Sequence, residues 1–174
     1  MRKAVVAVVA ATALVGGCGG GSGTAQPAAE RWDPCSIPQQ AIEATGLDPD
    51  SKDVGWRDGI VVEDWSRCRF RGPVDAVATY FFNVLSSDIH TVDEARKNDS
   101  YTQGHDVEIG ERDGYQYKTQ TSRSVRDCNI AIGVLGGVVV FTVSSMGTAD
   151  IGADPCQLVL GHVEDLEDAL PGSN

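Results

Sequence analysis

The apolar positions fall into short runs of two different periods. Ser36 to Leu47 carries Ile37, Ala41, Ile42 and Ala44 on one side and meets Gly46, which predicts a helix with a glycine stop. Val54-Gly55-Trp56 and the run Ile60 to Phe70 flank Asp58-Gly59, which predicts extended segments about a turn. Val74 to Leu85 is too continuous in β-branched and aromatic residues for a surface helix and reads as a strand. Thr91-Val92-Asp93-Glu94 is a capping box that opens a short helix through about Asn98. Val107 to Thr121 reads as a hairpin about Asp113-Gly114, with Tyr115 and Tyr117 on one face. Ile130 to Val134 and Val138 to Val143 form a second hairpin through Gly136-Gly137, with the most apolar strands of the chain. Pro155 to Leu170 closes the order as a helix. Its Cys156, Val159, Leu160, Val163, Leu166 and Leu170 make a stripe, while Glu164, Asp165, Glu167 and Asp168 face water. Helix, strands, helix, strands, helix, with tight turns between strands, predicts an α+β domain. Its sheet is mostly antiparallel and packs against N-terminal, middle and C-terminal helices.

The first residues do not belong to that pattern. Arg2 and Lys3 precede the apolar stretch Ala4 to Val15, whose length fits a signal peptide over residues 1–17. The stretch ends in Val15-Gly16-Gly17-Cys18, which resembles a bacterial lipobox with Cys18 as the lipid acceptor; the alternative is an ordinary secretory signal with an incidental cysteine. Acyl chains such as palmitate, at ~0.8 kcal/mol per buried methylene, would hold the protein at the extracytoplasmic face of the cell membrane. No apolar run reaches the ~20 residues of a membrane-spanning helix. Residues 18–31 are Gly-, Ser-, Ala-, Thr- and Pro-rich and read as a flexible tether, leaving 32–174 as a single globular domain.

Four cysteines remain after Cys18: Cys35, Cys68, Cys128 and Cys156. An even number in an exported chain reads as a disulfide framework with three pairings open. Asp33-Pro34-Cys35 and Asp154-Pro155-Cys156 repeat one device, an Asp cap with Pro at the first helical position, so each Cys falls in a first turn. Cys68 and Cys128 lie in strand-like stretches. The pairing favoured is Cys35–Cys68 with Cys128–Cys156, each tying a helix start to a strand. No Cys-x-x-Cys occurs, which lowers zinc and thioredoxin-like readings.

These features together resemble an actinobacterial lipoprotein family catalogued as a domain of unknown function. The resemblance is carried by Cys18, Asp33-Pro34-Cys35, Cys68-Arg69-Phe70, Cys128 before an apolar hairpin, and Asp154-Pro155-Cys156. It covers nearly all of the mature chain and implies a cell-envelope location and a disulfide-braced sheet. The element order is also similar to the Mog1/PsbP-type fold and to extracellular sensor domains of some actinobacterial kinases. No catalytic residues come with the resemblance.

Charge narrows the partners. The chain has 25 acidic and 14 basic side chains among 174 residues, a net charge of −11, and losing Arg2 and Lys3 with the signal peptide brings it to −13. That balance excludes nucleic acid, whose phosphates demand a basic footprint. His90, His105 and His162 have no ligand spacing and read as solvent-facing or structural, so no metal, cofactor or catalytic residue is assigned. Asp48-Pro49-Asp50-Ser51-Lys52-Asp53 departs from a calcium loop at Lys52 and reads as a polar loop. Arg67, Arg69 and Arg71 alternate along one strand, on the face opposite Cys68 and Phe70. Either acids such as Glu63 and Asp64 or cross-strand partners neutralise them, or they form an anion-recognition stripe, with Trp56 and Trp65 as walls of an adjacent groove. The expectation is a lipid-anchored, non-enzymatic module that binds a small molecule, a lipid or an envelope protein. An envelope-acting enzyme with a fold-assembled site and a structural subunit of an envelope complex are the alternatives.

Overall fold

The computed structural model describes residues 30–73, 80–120, 126–145 and 152–173. Cys18, the signal segment and nearly all of the tether lie outside the described residues, as does the first half of the predicted Val74 to Leu85 strand. Seven strands form one antiparallel sheet in the order β1-β2-β3-β7-β6-β5-β4. They are β1 Asp48–Val54, β2 Ser66–Arg71, β3 Tyr80–Ser87, β4 Thr102–Ile109, β5 Arg112–Gln120, β6 Arg126–Val134 and β7 Gly137–Ser145. Helices α1 Gln39–Ala44 and α3 Pro155–Leu166 cover one face, and α2 Val92–Arg96 lies against β5 and β6 on the other. The α+β class read from the sequence is the class observed.

Alternation sorts the two faces. Cys68, Phe70, Phe82, Val84, Ile130, Ile132, Phe141 and Val143 point toward α3, whose Val159, Val163 and Leu166 are fully buried against them. The residues that alternate with them, Ala131, Val138 and Val140, form with Tyr117 a smaller cluster on the opposite face, with Trp65, Tyr101 and Tyr115 packed against it. Two disulfides fasten the first face, Cys35–Cys68 and Cys128–Cys156, each with Cα atoms 5.1 Å apart. The repeated device works as its residues require: the Asp33 carboxylate accepts from the Cys35 amide at 2.8 Å, and Asp154 accepts from Cys156 at 2.7 Å.

The structure corrects several boundaries. The predicted Ser36 to Leu47 helix is a 3-10 turn, Pro34–Ser36, followed by α1 from Gln39. Pro38 separates them because it has no N–H and forces Ile37 into an extended conformation, ψ 126°. Ala44 is exposed, not on the packed side. Asp48 to Asp53, read as a polar loop, is most of edge strand β1. Its register to β2 breaks between Asp48 and Asp53, and its backbone pairing and the Asp48–Arg71 ion pair hold it without an apolar face. The turn at Asp58-Gly59 does not join two paired runs, since Ile60 to Trp65 is loop and β2 begins at Ser66. The β4–β5 hairpin turns at Gly110-Glu111, where Gly110 has φ 55°, while Asp113 and Gly114 are already paired to Glu108 and Val107. Glu167 is only partly in water: its carboxylate accepts from the Glu111 amide at 3.2 Å and sits 3.7 Å from Arg112.

Candidate functional site

The arginine stripe forms as the alternation requires, and β1 neutralises it. Arg67 donates to the Gly55 carbonyl at 2.6 Å and to Asp53 at 3.2 Å, with its guanidinium 4.9 Å from the Trp56 ring centroid. Arg69 reaches the same Asp53 oxygen at 2.6 Å and lies 4.7 Å over Phe81. Arg71 pairs with Asp48 at 2.8 Å and holds that carboxyl below the usual carboxylate range. Burial and the neighbouring Arg69 push Arg67 down. The partners are therefore the cross-strand acids Asp53 and Asp48, and Asp64 is engaged elsewhere. Two carboxylates against three guanidiniums leave one positive charge on this strip, and the ion pairs join β1 to β2 along it.

The other sequence candidates separate. His162 is on the buried side of α3 and bonded to Tyr80, and His105 sits on the exposed edge strand β4 beside Gln116. Among the described residues no three His, Cys, Asp or Glu side chains gather as a metal set.

What the fold assembles is a cleft of about 400 Å³ on the second face of the sheet, beneath α2. Its floor is Tyr117 from β5, Ala131 from β6, and Val138 and Val140 from β7. Cross-strand pairing fixes that floor, since Ala131 is registered with both Val140 and Tyr115. Tyr101, just before β4, stacks on Tyr117 with centroids 4.2 Å apart, and Trp65, just before β2, stacks on His90 at 5.0 Å. Ala95 and Asn98 descend from α2 and its C-terminal turn. Burial drives the Tyr117 phenol well above its ordinary value, so the ring keeps its proton.

The rim is polar and tightly wired. The capping box is complete: Thr91 accepts from the Glu94 amide, and the Glu94 carboxylate accepts from the Thr91 amide at 3.0 Å. That amide and the adjacent His90 keep the Glu94 carboxyl below its ordinary value. His90 Nδ1 is 3.0 Å from Glu94 and Nε2 is 3.5 Å from Asp64, so one imidazole bridges α2 to the β1–β2 loop. Ser87 accepts from the Ile89 and His90 amides and fixes the segment entering α2. Among the described residues, the cleft lining contains no Lys or Arg. The arrangement suits a compact ligand held by aromatic faces and oriented by a few rim groups.

Sequence reasoning grouped Trp65 with the arginines, yet it stacks on His90. The floor was signalled by the shared face of Tyr115 and Tyr117, but the cleft draws on segments spread from Trp65 to Val140, which only the strand order brings together.

Set beside known proteins, residues 13–168 match the family model described as a protein of unknown function, DUF3558. No curated protein and no solved structure matches the chain. The chain belongs to the DUF3558 family.

Proposed function

We propose that this DUF3558 protein is a lipid-anchored binding module of the cell envelope, tethered through Cys18 at the extracytoplasmic face of the membrane, and that the cleft beneath α2 takes its ligand. The observation that carries the reading is an apolar sheet face roofed by a helix of only five residues over about 400 Å³. Small-molecule sites begin at roughly 300 Å³ and combine apolar walls with a few placed polar groups, which is the composition here. The two disulfides support the same reading, because they hold the opposite face rigid and leave the cleft side to adapt. The order α1, three strands, α2, four strands, α3 supports a Mog1/PsbP-type arrangement as the finer description of the fold.

Native mass spectrometry of the mature chain after exposure to its host's envelope extract tests the site. A retained adduct that Trp65→Ala or Tyr117→Ala removes, with both disulfides intact, is the expected result. A protein mass without adduct, or an adduct indifferent to both substitutions, would overturn it. Anchoring has its own test: Cys18→Ala should release the protein from the membrane fraction.

A further inference from the structure

The large apolar side chains that stand exposed among the described residues all lie at one end of the sheet. They are Val54, Ile60, Val61, Ile89 and Leu135, between 52% and 82% exposed. Val54 ends β1 opposite Cys68, and Ile60 and Val61 follow it in the β1–β2 loop. Ile89 follows the end of β3, and Leu135 lies in the β6–β7 turn. The register joins these loops: Ser66 pairs with Ser86, Ser87 with Val138, and Gly137 with Val134. Gly137 packs so closely on the Ser87 carbonyl that a Cβ there would collide with it, so the turn bearing Leu135 is pressed against the segment bearing Ile89.

The chain enters the domain at this same end. Arg31 pairs with Asp88 at 2.6 Å, and the Ser86 hydroxyl donates to the Trp32 carbonyl at 2.5 Å. Cys18 lies twelve residues before Glu30. On the lipid-anchor reading, twelve residues of tether would span about 20 Å, so an anchor at Cys18 would keep this end nearer the bilayer than the opposite one.

We propose that this end docks on the bilayer surface itself, with Ile60, Val61, Ile89 and Leu135 entering the interfacial layer. The proposal rests on the lipid-anchor reading for its orientation, and goes beyond it in assigning a second, non-covalent membrane contact to the folded domain. Acids at this end (Asp58, Glu63, Asp64 and Asp88) outnumber Arg31 and Arg57, so attraction to anionic headgroups is not the driving force. Apolar insertion is, and a zwitterionic surface suits it better. The contact is weak alone and becomes effective because the tether keeps the local lipid concentration high.

Vesicle flotation of the mature chain carrying Cys18→Ala, oxidised, separates the two ideas. On phosphatidylcholine vesicles at high lipid concentration a fraction of the protein should float. Val61→Ser or Leu135→Ser should each lower that partition roughly tenfold, the loss expected for withdrawing one large aliphatic side chain. Adding phosphatidylglycerol should not raise it. Absence of flotation, flotation indifferent to both substitutions, or flotation that requires the anionic lipid would overturn the docking. The anchor reading is scored separately, by the acyl mass on Cys18 of the host-purified protein, and either can fail without the other.

Discussion

His162 lies on the buried side of α3, 7% exposed, with Nε2 2.6 Å from the Tyr80 hydroxyl and the Phe82 ring edge-on at 5.0 Å. Burial pushes its pKa from 6.5 down to about 4, against the opposing charge of Asp165. Burial also raises Tyr80 to about 12, so the phenol stays protonated and donates to a neutral imidazole. The linkage has a definite sign. Above pH 6.5 neither state holds the extra proton; between 6.5 and 4 the unfolded chain binds it and the folded chain does not, so stability falls as pH falls. The gap between 6.5 and about 4 corresponds to about 3 kcal/mol at 1.36 kcal/mol per unit. Asp48, Asp88 and Glu94, held low by Arg71, by Arg31 and by the Thr91 amide, stabilise above their ordinary values of 3.8, 3.8 and 4.5, and their loss comes at lower pH. The upper window therefore reports on the histidine. Urea unfolding from pH 7.5 to 4.5, comparing the oxidised protein with His162→Gln, is the assay. Glutamine keeps an acceptor for Tyr80 and does not titrate. Relative to the variant, the wild type should lose most of the ~3 kcal/mol over this range. Parallel profiles for the two proteins would refute the reasoning.

Three further outcomes follow from the geometry. The folded, oxidised domain should show no reactive thiol, and removing Cys128–Cys156 by paired serines should cost roughly 3–4 kcal/mol in chemical denaturation, the chain-entropy value for its loop. Asp154→Ala should cost about 1 kcal/mol by thermal melting, because the Cys156 amide loses its cap. Asp53→Ala strips the shared carboxylate from Arg67 and Arg69, so the variant should be destabilised by about 1 kcal/mol and its Tm should rise more steeply with sulfate than the wild type's.

Local chemistry made part of this fold legible. The Asp-Pro-Cys caps and the Thr91 capping box are complete within four residues each, and they appear as written. The disulfide pairing followed from those caps plus strand-like surroundings. Edge strand β1 was hidden because it has no apolar alternation: Asp48, Pro49, Ser51 and Lys52 carry no core face, and its stability lies in pairing with β2. The hairpin turn was misplaced because Asp113-Gly114 is the stronger turn sequence, whereas Gly110 with Glu167 resting against it makes the actual corner. Gly114 serves a different need, lying under Ile109, Val107 and Ile130. Pro38 could have been read as a break in the first helix from its missing N–H alone. The cleft was not legible, because β7 inserts between β3 and β6 and brings Val138 and Val140 beside residues remote in sequence.

The Cys35–Cys68 bond also decides how the domain bears mechanical load. Tension drawn through the residues before Glu30 would first peel away the Arg31–Asp88 pair and the Trp32–Ser86 contact. It would then reach Cys35 and pass through sulfur into the middle of β2, a strand hydrogen-bonded on both sides. Helix α1 and strand β1 lie inside the covalently closed loop and carry none of it. Tension applied at Glu30 would thus cost a few surface contacts before the disulfide hands it to the sheet.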